Sequence, residues 1–99
     1  MKFLALEKEV AGVTDNQFTP ALLREEAARA WVLYQAGVFR EMYFREDRHE
    51  AVLILEAATV EEAHTALDSL PLVQSGLIQF EVAPLTPYDG FARLFTPKP

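Results

Sequence analysis

"REDRHEAVLILEAATVEE", residues 45–62, carries a change of rhythm from which the fold can be read. Its centre, "AVLIL", is apolar on both parities: Ala51, Leu53 and Leu55 fall on one side of an extended chain, Val52 and Ile54 on the other. A strand of that kind has two faces to cover. The charged "REDRH" before it reads as a hairpin turn. After it, "TVEE" is a capping box, in which Thr59 covers an orphan N–H at the start of a helix and Glu62 reaches back. Strand, turn and capped helix thus sit within one short stretch.

Working outward, "VFREMYF" (38–44) and "EAVLILEA" (50–57) form the two strands of a hairpin. The helix started by Thr59 places Val60, Ala63, Leu67 and Leu70 on one stripe, and Pro71 marks its end. "GLIQFEV" (76–82) is a further strand, with Ile78, Phe80 and Val82 towards one layer and Leu77, Gln79 and Glu81 towards another. Upstream, "KFLALEKEV" (2–10) alternates as a strand, and "AGVTDNQFTP" (11–20) is a loop by its Gly, Asp and Asn content. Thr19 and Pro20 make an N-cap and N1 pair, because the missing N–H of proline has no intrahelical partner there anyway. Leu23, Ala27, Ala30, Trp31 and Tyr34 then follow at helical spacing, with Arg24, Glu25, Glu26 and Arg29 facing elsewhere, until Gly37 stops the helix.

The order βαββαβ predicts an α+β, ferredoxin-like fold: a four-stranded antiparallel sheet with two helices on one face. Val52 and Ile54 are then expected to lie bare beside Phe3, Ala5 and Leu77, an apolar patch that a second sheet would cover. The expected partner is the chain itself, as a homodimer or higher oligomer. Residues 1–95 read as one domain, including an arm at 84–95, with 96–99 as a short tail. Within the arm, Tyr88, Phe91, Leu94 and Phe95 recur at i, i+3, i+6 and i+7, as an amphipathic turn that a neighbouring subunit would cover.

Composition narrows the classes of function. The chain has 99 residues, no cysteine, and 15 acidic against 9 basic residues, for a formal charge of −6. Disulfides and thiolate chemistry are excluded, and stability must come from packing. Negative charge and six scattered arginines argue against nucleic acid as a partner. No apolar run approaches the ~20 residues of a membrane span, and no signal-like segment opens the chain, so a membrane is not an expected partner and the expected compartment is the cytoplasm.

The sequence resembles the muconolactone isomerase family among the dimeric α/β-barrel proteins. The residues that carry the resemblance are "GVFREMYFR" (37–45), "LPLVQSGLIQFEV" (70–82) and "PLTPY" (84–88), in a chain that follows the family's βαββαβ order up to about Phe95. The "DGFARLF" arm is extra to that pattern. The resemblance implies a dimer whose sheets face each other, and an enzyme that moves a carbon–carbon double bond within an unsaturated lactone without a metal or organic cofactor.

Such an isomerisation needs a base to remove an acidified C–H proton, an acid to return it, and a donor or cation for the enolate and any carboxylate. Arg40, matching an arginine of the family motif, is the candidate anion anchor; a structural ion pair would use it equally well. Glu41 and Glu7 are the candidate bases, with Glu81 a further acid, although strand parity sends Arg40 and Glu41 to opposite faces unless the strand is bulged. Trp31, Tyr34, Tyr43 and Phe80 are candidate ligand-binding rings, at spacings that core packing also explains. His49 reads as a solvated turn residue and His64 as a helix-border residue. Two histidines without cysteine or His-x-x-x-His spacing argue against a metal site, and there is no phosphate-binding glycine motif or nucleophile elbow. A small organic acid or lactone is the expected ligand. The alternatives are a binding or sensing module without catalysis, and a cofactor-independent monooxygenase of small aromatics.

Overall fold

The hairpin, the two capped helices and the flanking strands assemble in the expected order in a computed structural model that describes residues 1–97. Strands β1 (Lys2–Glu9), β2 (Phe39–Phe44), β3 (Ala51–Glu56) and β4 (Ile78–Leu85) form one antiparallel sheet in the order β2-β3-β1-β4. Helices α1 (Pro20–Gln35), α2 (Val60–Asp68) and the single turn α3 (Pro71–Gln74) complete the α+β fold, with 3-10 turns at Asp15–Gln17 and Gly90–Leu94. Of the expected tail at 96–99, residues 98 and 99 lie outside the described residues.

The caps work as their residues dictate. Thr19 Oγ accepts from the Leu22 N–H at 3.2 Å, and Thr59 Oγ accepts from the Glu62 N–H at 3.1 Å. The Glu62 carboxylate reaches back to the N–H of Ala58, one residue before the cap, rather than to that of Thr59. Gly37 (φ 78°) ends α1 in the left-handed region, so the Val38 N–H returns to the Leu33 carbonyl at 3.0 Å. Gly76 (φ 73°) ends α3 in the same way, with the Leu77 N–H on the Leu72 carbonyl at 3.0 Å.

Three expectations are corrected. Pro71 does not merely close the second helix, which stops at Asp68; it starts α3 at N1, because Leu70 before it is held extended (φ −72°, ψ 130°). Phe3 and Ala5 do not lie on the uncovered face. They pair with Leu55 and Leu53 and join the core beneath the helices, at 1% and 0% exposure, with Phe39, Leu67 and Leu70. The outer face instead presents Leu4 and Leu6 opposite Ile54 and Val52, and Leu77 packs with Leu72 and Ile78. A one-residue change of parity exchanges a strand's entire set of side chains between faces, and "FLAL" is apolar either way.

The third correction concerns α1. Its stripe at Leu23, Trp31 and Tyr34 is largely exposed, whereas Leu33 is its buried residue, Ala30 packs on the core, and Glu26 and Arg29 are partly buried. The helix is therefore turned by about one residue from the expected orientation. Two polar contacts hold it there: Arg29 Nε donates to Ser69 Oγ at 2.9 Å, and Glu26 Oε1 accepts from the Leu72 N–H at 2.9 Å, capping α3 from another element.

Candidate functional site

The rotation of α1 leaves a cleft of about 990 Å³ between that helix and the helix-facing side of the sheet. Its walls are mostly apolar. Leu23, Ala27, Trp31 and Tyr34 come from α1, while Phe39, Met42 and Phe44 come from β2 and Phe80 from β4. Trp31 and Tyr34 stack with ring centroids 5.8 Å apart.

A bulge in β2 decides which of its residues reach the cleft. Phe39 pairs with Leu55, but the next pair is Glu41 with Ile54, so Arg40 is the extra residue. The register then places Met42 opposite Leu53 and Phe44 opposite Ala51, on the cleft side, and Glu41 and Tyr43 opposite Ile54 and Val52, on the outer face. Without the bulge these two sets would exchange. Arg40 Nε donates to the Gly37 carbonyl at the connection between α1 and β2. Tyr43 donates to the Glu41 carboxylate at 2.8 Å, which raises the pKa of the phenol because its ionised form would face that charge. The structure therefore brings Glu7, Trp31, Tyr34 and Phe80 together at the cleft and places Arg40, Glu41 and Tyr43 outside it.

Two carboxylates mark the polar part of the cleft. Glu7 shares the parity of Phe3 and Ala5, so its side chain points to the helix side, where Oε1 accepts from the Ala51 N–H at 3.1 Å. Burial raises its pKa above the ordinary value, opposed by that N–H; the Glu50 carboxylate raises it further, and His49 opposes. Burial likewise raises the pKa of Glu26, opposed by the Leu72 N–H, and the charge of Glu7 raises it again. Each would give up its proton less readily than a carboxyl in water, which suits a group that takes a proton and returns it.

Glu26, Asp15 and His49 also line the cleft, and sequence reasoning does not select them. The helical spacing puts Glu26 on the solvent side of α1; its only signal in the sequence is its spacing of four and seven residues from Leu22 and Leu33. His49 is exposed in its turn but stacks on Phe44 at 4.0 Å, which brings it to the cleft mouth. Glu81 lies on the outer face, paired with Lys8 at 3.5 Å. Among the described residues, no group of three or more His, Cys, Asp or Glu side chains could hold a metal ion, and no helix is long and apolar enough to cross a membrane.

Known proteins bear on the fold and the family. No functionally curated protein matches the chain. The crystal structure of a muconolactone isomerase is similar at a TM-score of 0.74 and 21% identity, covering 90% of this chain and 92% of its own. A 5-chloro-2-hydroxyhydroquinone dehydrochlorinase from Burkholderia phenoliruptrix AC1100, solved in complex with 2,5-dihydroxybenzoquinone, is similar at a TM-score of 0.62 and 20% identity, over 87% of this chain and 94% of its own. At such identities the two structures share the fold with this protein. The sequence model described as muconolactone delta-isomerase matches residues 1–90, nearly the whole chain. This protein belongs to the muconolactone delta-isomerase family.

Proposed function

We propose that the cleft binds a small unsaturated lactone or related organic acid, and that the protein isomerises it by proton transfer through Glu7. The observation that carries this reading is the pair of partly buried carboxylates, Glu7 and Glu26, each with a raised pKa and each fixed by a backbone N–H in a mostly apolar cleft. The Glu7 carboxylate takes the proton from the γ carbon of an α,β-unsaturated lactone. The C–H electron pair moves through the double bond to the carbonyl oxygen, giving a dienolate. Glu7, now a carboxylic acid, returns the proton to the α carbon, and the double bond ends one position along the ring. No atom is gained or lost. Glu26 in its protonated form can donate to the developing enolate oxygen from the carboxyl oxygen that is not held by Leu72. The stacked Trp31 and Tyr34 supply a flat wall for the ring.

The protein acts in this reading as a homodimer, sheet against sheet. The support is the row of Leu4, Leu6, Val52 and Ile54 on the face opposite the helices, which remains partly exposed in a single chain. A second reading, binding without turnover, is favoured by the exposure of the site in one chain, where Trp31 is 58% exposed. A panel of unsaturated lactones, small carboxylates and quinones tests the readings. Each ligand is first assayed by thermal shift, since a ligand of the native state raises its melting temperature. Hits are then followed by ultraviolet absorbance, by product analysis and with an oxygen electrode. Double-bond migration without oxygen uptake is the expected result. Binding with no product supports a sensing module, and oxygen consumption supports a monooxygenase.

A further inference from the structure

The cleft gathers carboxylates from three separate elements. Glu7 reaches it from β1, Glu26 from α1, and Asp15 from the 3-10 turn before α1, while its lining residues include no Lys or Arg. Basic side chains are engaged elsewhere. Arg29 donates to Ser69 and Arg40 to the Gly37 carbonyl. Lys2, Lys8, Arg45 and Arg48 pair with carboxylates that do not line the cleft. One oxygen of Glu7 accepts the Ala51 N–H and one of Glu26 the Leu72 N–H. The second oxygen of each has no protein donor among the described residues, and so is left to bond a ligand.

We infer that the cleft selects its ligand by charge, taking an uncharged ring that bears a hydroxyl and rejecting the same ring when it bears a carboxylate, with Glu26 and Asp15 as the residues that set the preference. A hydroxyl can donate to the free oxygen of Glu7 or Glu26, a charge-assisted bond. A carboxylate meets the opposite situation. It sheds its water on entering mostly apolar walls, finds no cation among the lining residues to replace that water, and stands beside like charges that solvent screens less than it would in the open. The same repulsion already acts between the cleft's own groups, since the charge of Glu7 raises the pKa of Glu26. Contact with the stacked Trp31 and Tyr34 is available to either ring, so the substituent decides. The inference rests on the cleft being the ligand site, and narrows the ligand from lactones and organic acids to neutral, hydroxyl-bearing lactones.

Two measurements test it, and neither needs turnover. The first reads the charge of the cleft with no ligand present. Trp31 is the only tryptophan and lines the cleft, so quenching of its fluorescence by iodide, divided by quenching by neutral acrylamide, reports how strongly an anion is kept out. At low ionic strength, Asp15→Asn with Glu26→Gln is expected to raise that ratio at least about twofold. Glu61→Gln with Glu81→Gln removes the same net charge away from the cleft and is expected to leave the ratio near the parental value. An unchanged ratio in the first protein, or an equal rise in the second, overturns the inference.

The second measurement uses three butenolides alike except at the γ carbon, which bears an ethyl, a hydroxyethyl or a carboxymethyl group. By calorimetry the hydroxyethyl form is expected to bind the parent protein at least about tenfold more tightly than the carboxymethyl form, with the ethyl form between them. In the Asp15→Asn, Glu26→Gln protein, which keeps Glu7 and an acceptor for the Leu72 N–H, that gap is expected to narrow to under about threefold. A carboxymethyl form that binds the parent as tightly as the hydroxyethyl form refutes charge selection while leaving the cleft a lactone site. Failure of all three to bind counts against the lactone reading, and the iodide ratio then decides charge selection by itself.

Discussion

Replacing Glu7 by glutamine and by alanine separates its structural contact from its proposed chemistry. The contact is the 3.1 Å bond from the Ala51 N–H to Oε1 at the start of β3. Glutamine keeps an acceptor oxygen for that N–H, so the E7Q change converts a charge-assisted bond into a neutral one and removes a carboxylate that burial penalises. Alanine leaves the N–H without a partner, which costs about 1–3 kcal/mol when the group is buried. The site is partly open to water, so the low end, about 1 kcal/mol, is expected for E7A, with a fall of about 4–8 °C in Tm for a domain of this size. The pH dependence has a definite sign. Glu7 has a folded-state pKa raised above its ordinary 4.5, so the folded protein holds the proton over a window in which the unfolded chain releases it. Its contribution to stability is full below pH 4.5 and is lost as pH rises through the folded value. E7Q should flatten that slope and be at least as stable as the parent at neutral pH. Both variants should lose about 10²–10⁴ in kcat if Glu7 is the base. Urea unfolding across pH 4–8 measures the first effect, and lactone turnover the second. An E7A protein as stable as the parent contradicts the argument from the Ala51 bond, and an E7Q protein with near-parental kcat shows that the base lies elsewhere.

The remaining expectations follow from burial and face. Phe39→Ala, at a residue 1% exposed in the core, should cost about 3–5 kcal/mol by urea titration. Phe44→Ala, further along the same strand face but 62% exposed, should cost under about 1 kcal/mol, and equal losses would contradict the exposed position of Phe44 at the cleft mouth. Ile54→Glu should convert the proposed dimer to an 11.2 kDa monomer by light scattering, because an unpaired charge would be buried between sheets; an undisturbed dimer would place the interface elsewhere. Arg40→Ala should leave ligand affinity at the cleft within about twofold by calorimetry, since Arg40 bonds the Gly37 carbonyl outside that site. A tenfold loss would return it to the role of anion anchor.

Several features of this protein are legible in its sequence because they depend on near neighbours. Thr19–Pro20 and Thr59 start helices through contacts within one turn, Gly37 ends one through its own φ, and "REDRH" closes a hairpin between adjacent strands. The order βαββαβ and the two-sided character of "AVLIL" follow from such signals, and with them the family fold. What the chain could not state in one dimension is which of two equivalent choices its elements take. β1 is apolar on both parities, so only its pairing with Leu53 and Leu55 sends Phe3, Ala5 and Glu7 to the helix side. The alanine-rich α1 offers an acceptable stripe at more than one rotation, and the contacts of Arg29 with Ser69 and Glu26 with Leu72, 40 and 46 residues away, select among them. The bulge at Arg40 then turns Met42 and Phe44 inwards and Glu41 and Tyr43 outwards. Local preference settled where elements begin and end. The composition of the cleft was decided by long-range register and rotation, for which neighbouring residues carry almost no energetic preference and packed side chains carry nearly all of it.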